Sequence, residues 1–178
     1  MFLDTSGLLA LFYSKDPRHS QAEDLFQTAP ALWIHNYVLA EFIPLVSSRR
    51  LSRRAASGFL RELLAEADLE LVWVDRELHD AAMDLLDRRA DKDYSLCDAV
   101  SFLIMQQHGV SQALTTDQHF EQEGFIRLLK TQGGNEPIAD IRQLAAHVLY
   151  AGRNVPGDTE PRQRGLALID EMQLANRL

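Results

Sequence analysis

The sequence predicts an α/β fold: a central, mainly parallel sheet with helices on both faces. Two observations point there. Short apolar runs at 1–3, 31–34, 69–74, 113–117 and 126–129 are separated by longer stretches of helical periodicity. Strands alternating with helices are the pattern of right-handed crossover units, which set helices on either side of a parallel sheet. In addition, 178 residues with 46% hydrophobic and 25% charged content suffice for one compact core and exclude a disordered chain.

Each element has a local reason. Met1-Phe2-Leu3 opens as a strand ending at Asp4, and Thr5 or Ser6 can cap a helix running through Tyr13. A second helix follows Asp16-Pro17, since proline suits a first helical turn, and turns Ala22, Leu25 and Phe26 inward. After the strand Ala31-Leu32-Trp33-Ile34, Asn36 is the expected N-cap for a helix from Tyr37 to about Ser48, which Pro44 should kink or end. Ser52 caps the next helix, and Leu69 to Val74 reads as a strand. Asp75 caps a helix after it. Ser95 begins another with Leu96, Ala99, Val100, Leu103 and Ile104 inward, closed by Gly109, before the last two strands. Beyond Lys130 the composition turns linker-like through Gly133, Gly134 and Pro137, then shows two amphipathic patterns. The expected organisation is therefore a domain at 1–130 and a C-terminal helical extension at 131–178.

Several classes are excluded early. The single cysteine, Cys97, cannot close an intramolecular disulfide and has no zinc-spaced neighbours, so a reducing, cytoplasmic compartment is expected. No apolar run approaches the roughly 20 residues that span a bilayer. A net charge of -8 is unusual for a protein that binds nucleic acid, whose phosphates call for Lys and Arg. That objection weakens if several acids gather in one pocket around a divalent cation, which inverts the local sign.

Four acids fit such a pocket. In an open parallel sheet, ligands bind beyond the carboxyl ends of the strands, where Asp4 and Asp117 fall. Glu41 interrupts the apolar stretch Tyr37 to Ile43, and a lone buried carboxylate needs a cation or a donor. Asp98 sits in a first helical turn, bracketed by Leu96, Cys97, Ala99 and Val100. An all-carboxylate cluster suits Mg²⁺ or Mn²⁺ rather than zinc, and such ions activate water for phosphodiester hydrolysis.

The motifs Phe-Leu-Asp-Thr-Ser at 2–6, Ala-Glu-Phe at 40–42, Leu-Cys-Asp-Ala at 96–99 and Leu-Thr-Thr-Asp-Gln-His-Phe at 114–120 resemble those of PIN-domain nucleases. The order Asp, Glu, Asp, Asp is similar to that of the toxins of bacterial toxin–antitoxin pairs. The resemblance covers about residues 1–130. It implies a three-layer α/β/α sandwich, Mg²⁺- or Mn²⁺-dependent cleavage of RNA, homodimerisation and inhibition by a small antitoxin. Residue by residue, it implies Asp4, Glu41, Asp98 and Asp117 as the catalytic and metal-binding acids, with Thr5, Ser6 and Thr116 as supporting hydroxyls.

Outside that set, Arg49, Arg50, Arg53 and Arg54 form the densest basic cluster, read either as RNA-phosphate contacts or as solvated helix ends. Asp93 reads as a solvated loop residue, His119 as support for its loop, and Cys97 as a small core residue. The competing functions are a catalytically silent PIN-like module that binds RNA or protein, and a receiver or dehalogenase-like phosphatase. The phosphatase pattern wants a second Asp where Ser6 stands, and a receiver wants an acidic pair at the first strand.

Overall fold

The computed structural model describes residues 1–130, and the extension expected at 131–178 lies outside them. Five strands form one sheet: β1 (Phe2–Leu3), β2 (Leu32–His35), β3 (Leu69–Val72), β4 (Gln112–Leu114) and β5 (Ile126–Arg127). Their spatial order is β3-β2-β1-β4-β5, and every neighbouring pair is parallel. Seven helices connect them: α1 (Thr5–Phe12), α2 (His19–Thr28), α3 (Asn36–Ser48), α4 (Arg53–Leu63), α5 (Arg76–Arg88), α6 (Leu96–Gln107) and the single turn α7 (His119–Gln122).

The strand order fixes where a site can form. From β1 the chain steps outward to β2 and β3, then returns to the other side of β1 as β4 and β5. Right-handed crossovers in opposite directions put helices on opposite faces. Accordingly α1 packs on α2 and α3, and α3 on α4, while α5 packs on α6. The reversal between β1 and β4 is the switch point where loops part at the carboxyl edge of a parallel sheet. Asp4 follows β1 directly, and Asp117 lies just beyond β4.

The core is dense around that point. Phe2, Leu3, Leu8, Leu11, Ile34, Phe42, Phe102, Leu114 and Phe120 are fully or almost fully buried. Gly7 lets α1 lie directly against β4, because a Cβ there would collide with the Leu114 carbonyl. Aromatic pairs bind the layers, among them Phe12 edge-on to Phe42 and Phe102 edge-on to Phe120.

Two local expectations are corrected. The N-cap of α1 is Asp4, whose carboxylate accepts from the Ser6 N–H, rather than Thr5 or Ser6. The N-cap of α3 is His35 rather than Asn36: its Nδ1 accepts from the N–H groups of Tyr37 and Val38. Asn36 instead accepts from the Val74 N–H, tying the start of α3 to the end of β3. Helix α3 runs through Pro44 to Ser48, the end expected for it. Pro44 removes one backbone donor, but Val38, Phe42 and Val46 keep the inner face of that helix buried on both sides of it. Ser52, Asp75 and Ser95 cap their helices as expected.

Candidate metal centre at the switch point

Asp4 is the most tightly held acid. It is 6% exposed, and its Oδ2 accepts from the Ser6 N–H at 3.2 Å, from the Ser6 hydroxyl at 2.7 Å and from the Thr115 hydroxyl at 2.7 Å. Both hydroxyl protons point at Asp4, so each oxygen is free to accept in turn. Ser6 Oγ takes the Thr116 N–H and Thr115 Oγ1 the Asp117 N–H, each at 2.9 Å. This chain of bonds locks the loop after β4 onto the start of α1. Burial raises the Asp4 pKa above the ordinary carboxylate value, and the donors on Oδ2 work against that rise.

Asp98 completes a capping box: Ser95 Oγ accepts from the Asp98 N–H, and Asp98 Oδ2 accepts from the Ser95 N–H at 2.8 Å. The cap orients the carboxylate. Burial, and then the nearby charges of Asp4 and Asp117, raise its pKa from 3.8 to about 6, with the Ser95 hydrogen bonds opposing. The Ser6 and Thr115 bonds to Asp4 and the Ser95 bond to Asp98 all fall on Oδ2, and the Thr5 N–H adds a further bond to the Asp4 carboxylate.

Asp117 is strapped by His119, whose N–H donates to Oδ1 at 2.9 Å and whose Nδ1 lies 3.3 Å from Oδ2. That Nδ1 is also 3.8 Å from Asp98 Oδ2, and it is buried without a hydrogen-bond partner. Oxygens of Asp98 and Asp117 and a nitrogen of His119 all lie within 4.8 Å of one another, a spacing that one cation can bridge. His119, read from the sequence as loop support only, therefore stands inside the acidic cluster.

Glu41 departs from expectation in one respect: it is exposed, not buried. Apolar neighbours along a helix are not neighbours in space, and the buried stripe of α3 is Val38, Phe42 and Val46, with Glu41 to one side of it. Its Oε2 still accepts from the Thr5 hydroxyl at 2.7 Å, beside Asp4. The Cys97 thiol registers how close the acids are. Its pKa is raised by burial first, then by the charges of Glu41 and Asp4, a hydrogen bond with Glu41 and the charge of Asp98. A thiol so disfavoured as thiolate is chemically quiet.

Of the supporting hydroxyls, Thr5 and Ser6 bind acids directly, whereas Thr116 takes part through its backbone N–H. The corresponding hydroxyl work falls to Thr115, which is fully buried. Strand alternation could have found it, since residues 115 and 117 share a face and 116 does not. Arg127 steadies the same loop by donating to the Thr116 carbonyl at 3.0 Å. Asp93 is exposed, in keeping with a solvated loop. Arg49, Arg50, Arg53 and Arg54 are exposed at the corner between α3 and α4.

A parallel sheet whose switch point carries this acidic cluster invites comparison with known families, and a model described as PIN domain matches residues 1–125. The chain belongs to the PIN-domain family. Among similar proteins is the 23S rRNA-specific endonuclease VapC20 of Mycobacterium tuberculosis. It is 32% identical over 129 residues, which cover 72% of this chain and 97% of that protein. Ribonuclease VapC26 of the same species is 31% identical over 122 residues, covering 67% of this chain and 89% of its own. The crystal structure of VapC20, described as a sarcin-ricin loop cleaving toxin, superposes with a TM-score of 0.64 at 31% identity. It covers 70% of this chain and 95% of that one. The expected PIN fold is thus observed, and the match ends within the described residues. No described helix is long and apolar enough to cross a membrane.

Proposed function

We propose that this PIN domain is a divalent-metal-dependent endoribonuclease, the toxin of a toxin–antitoxin pair, with Asp4, Glu41, Asp98 and Asp117 as the acids that hold Mg²⁺ or Mn²⁺. The observation that carries this reading is the arrangement of Asp4 and Asp98: two buried carboxylates, each oriented by hydrogen bonds to Oδ2, beside Asp117 and Glu41. Four acids so close repel one another unless cations or protons intervene, and hard oxygen ligands favour Mg²⁺ or Mn²⁺. The names of both VapC relatives supply the reaction class, and that of VapC20 the substrate class, a ribosomal RNA.

When bound, the metal would supply a water of lowered pKa and an electrophilic contact for phosphate oxygens. The chain's own residues do the positioning. Ser6 and Thr115 hold Asp4, Ser95 holds Asp98, and the His119 N–H holds Asp117 at Oδ1, which is the outer-shell support that metal sites need. We further infer that residues 1–130 are the catalytic unit, that the protein is cytoplasmic, and that a small antitoxin and a second copy of the chain are its protein partners. The presence of all four acids favours activity over a silent binding module.

The test incubates the purified chain with a pool of structured RNAs that includes a hairpin loop from 23S rRNA, in Mg²⁺, in Mn²⁺ and in EDTA. A folded Asp4→Asn, Asp98→Asn variant runs beside it. Metal-dependent cleavage lost in the variant is the expected result. Failure of the wild type to cleave RNA or to bind Mn²⁺ by calorimetry would sink the reading.

A further inference from the structure

Three helices end in the same hydrogen-bonded device. After α6, the Gly109 N–H donates to Gln106 O and the Val110 N–H to Met105 O. After α7, the Gly124 N–H donates to Glu121 O and the Phe125 N–H to Phe120 O. After α3, the Arg50 N–H donates to Ser47 O and the Leu51 N–H to Val46 O. Each is a Schellman motif, whose penultimate residue must take a left-handed conformation. At two of them the residue is glycine, with φ of 65° and 87°; at the third it is Arg50, with φ of 60°. A side chain in that conformation is disfavoured relative to glycine, so the fold alone would be better served by glycine at 50.

The next two arginines are also misplaced for stability. Arg53 and Arg54 occupy the first turn of α4, directly after its Ser52 cap, where the helix dipole repels cations and no acidic residue offsets them. Arg61 follows two turns later. Arg53, Ser57 and Arg61, at i, i+4 and i+8, form a stripe about 12 Å long. With Arg54 and Ile43 they line one open depression on the side of α4 away from its buried Ala55, Ala56, Phe59 and Leu63. Among the described residues none of Arg50, Arg53, Arg54 or Arg61 makes a carboxylate pair, although the chain as a whole carries a net charge of -8. Arg49 stands apart: it caps the C-terminus of α3, where the dipole favours a cation, and its place needs no further reason.

Arg50, Arg53 and Arg54 are unpaired cations held where the backbone disfavours them, a departure from local consistency expected at a functional surface, and Arg61, in the favoured last turn of α4, joins them through the shared depression. We propose that Arg50, Arg53, Arg54 and Arg61 form a track that grips the phosphate backbone of RNA flanking the scissile bond, an inference that rests on the nuclease reading above. Arg50 directly follows the C-cap of α3, the helix that carries Glu41, so the track is mechanically tied to the acidic site. It also answers the charge problem of an acidic nuclease. A bound divalent cation would neutralise the pocket, and the α3–α4 corner supplies the positive surface for the rest of the strand.

The experiment uses the full chain. Binding of a fluorescein-labelled hairpin RNA is followed by anisotropy in Mg²⁺ with an Asp4→Asn parent that cannot cleave, over about 50 to 200 mM salt. Adding Arg53→Gln, Arg54→Gln and Arg61→Gln should weaken binding at least about tenfold. It should also flatten the slope of log affinity against log salt by about 2 to 3, since each phosphate contact contributes about 0.7 to 0.9. Arg50→Gly should weaken binding while raising the thermal midpoint, a pairing that a merely structural residue does not give. Unchanged affinity and slope in the triple variant, with the parent binding normally and the unsubstituted chain cleaving, overturns the track and leaves the nuclease standing. An unsubstituted chain that neither binds nor cleaves RNA overturns both.

Discussion

Asp98 shows how a single side chain serves fold and chemistry at opposing cost. Its pKa is raised from 3.8 to about 6, chiefly by burial and secondarily by the charges of Asp4 and Asp117. A folded pKa above the unfolded one means that the group's contribution is fully present below pH 3.8 and is lost as pH rises through about 6. At neutral pH the metal-free protein therefore holds a carboxylate that the fold would rather protonate. Asp98→Asn keeps an acceptor for the Ser95 N–H and removes the charge. It should raise the thermal midpoint of the metal-free protein at pH 7 while abolishing metal-dependent cleavage, and the two midpoints should converge near pH 4. Identical pH profiles for the two proteins would show that Asp98 is not strained. This tension was only half legible. The sequence marks Asp98 as a helix N-terminal acid, which is what the capping box uses, but the charges that strain it come from Asp4 and Asp117 across the sheet. Glu41 shows the opposite failure: a one-dimensional apolar context suggested burial that helix geometry does not deliver.

Between elements, the sequence carries periodicity well and close approach poorly. The strand and helix order follows from apolar spacing, and Ser52, Asp75 and Ser95 announce their helices because their side chains act within three residues. His35 does not, because histidine is not among the usual capping residues and its tautomer is fixed by Ser101, far along the chain. Its Nδ1 accepts from the N–H groups at the start of α3, so the ring proton sits on Nε2 and donates to Ser101 Oγ at 2.9 Å. Ser101 Oγ in turn donates to the Cys97 carbonyl of α6. Burial depresses the His35 pKa from 6.5 to about 3. A depressed folded pKa gives stability that is present above pH 6.5 and is lost as pH falls toward 3, at up to about 1.4 kcal/mol per pH unit. His35→Gln should cost about 2 kcal/mol at pH 7 through the broken network. It should also lessen the loss of stability between pH 7 and 5, as read by urea unfolding at both values; an unchanged pH slope would remove His35 as the acid-sensitive link. Gly7 is a second inter-element contact hidden from the sequence, since nothing local says that α1 rests on the Leu114 carbonyl. Gly7→Ala must push α1 off β4 and should cost about 1–3 kcal/mol. Because Asp4, Thr5 and Ser6 begin that helix, cleavage should fall too, measured beside the unfolding midpoint.

For the whole molecule, the switch point turns a sheet topology into a charge problem that only a cation or a proton can relieve. β1 and β4 are adjacent, and the register that pairs Phe2 with Ala113 and Leu3 with Leu114 carries Asp4 to the level of Thr115. Asp4, Asp98 and Asp117 thereby meet within a chain already at net charge -8. Divalent metal that binds the folded state alone adds RT ln(1 + [L]/Kd), about 2.7 kcal/mol at a hundredfold excess over Kd. For a domain of this size that corresponds to a rise of about 5–10 °C in the unfolding midpoint. Mn²⁺ should produce such a shift in the wild type at pH 7 and a much smaller one in Asp4→Asn, even though the variant retains most of the acidic surface. The shift should also shrink at pH 5, where Asp98 binds a proton that the metal must displace. A variant that responds to Mn²⁺ as strongly as the wild type would locate the ion on the diffuse acidic surface instead. A shift that does not change between pH 7 and 5 would mean that the bound ion does not touch Asp98, and the site would then have to be built on Asp4, Asp117 and Glu41 alone.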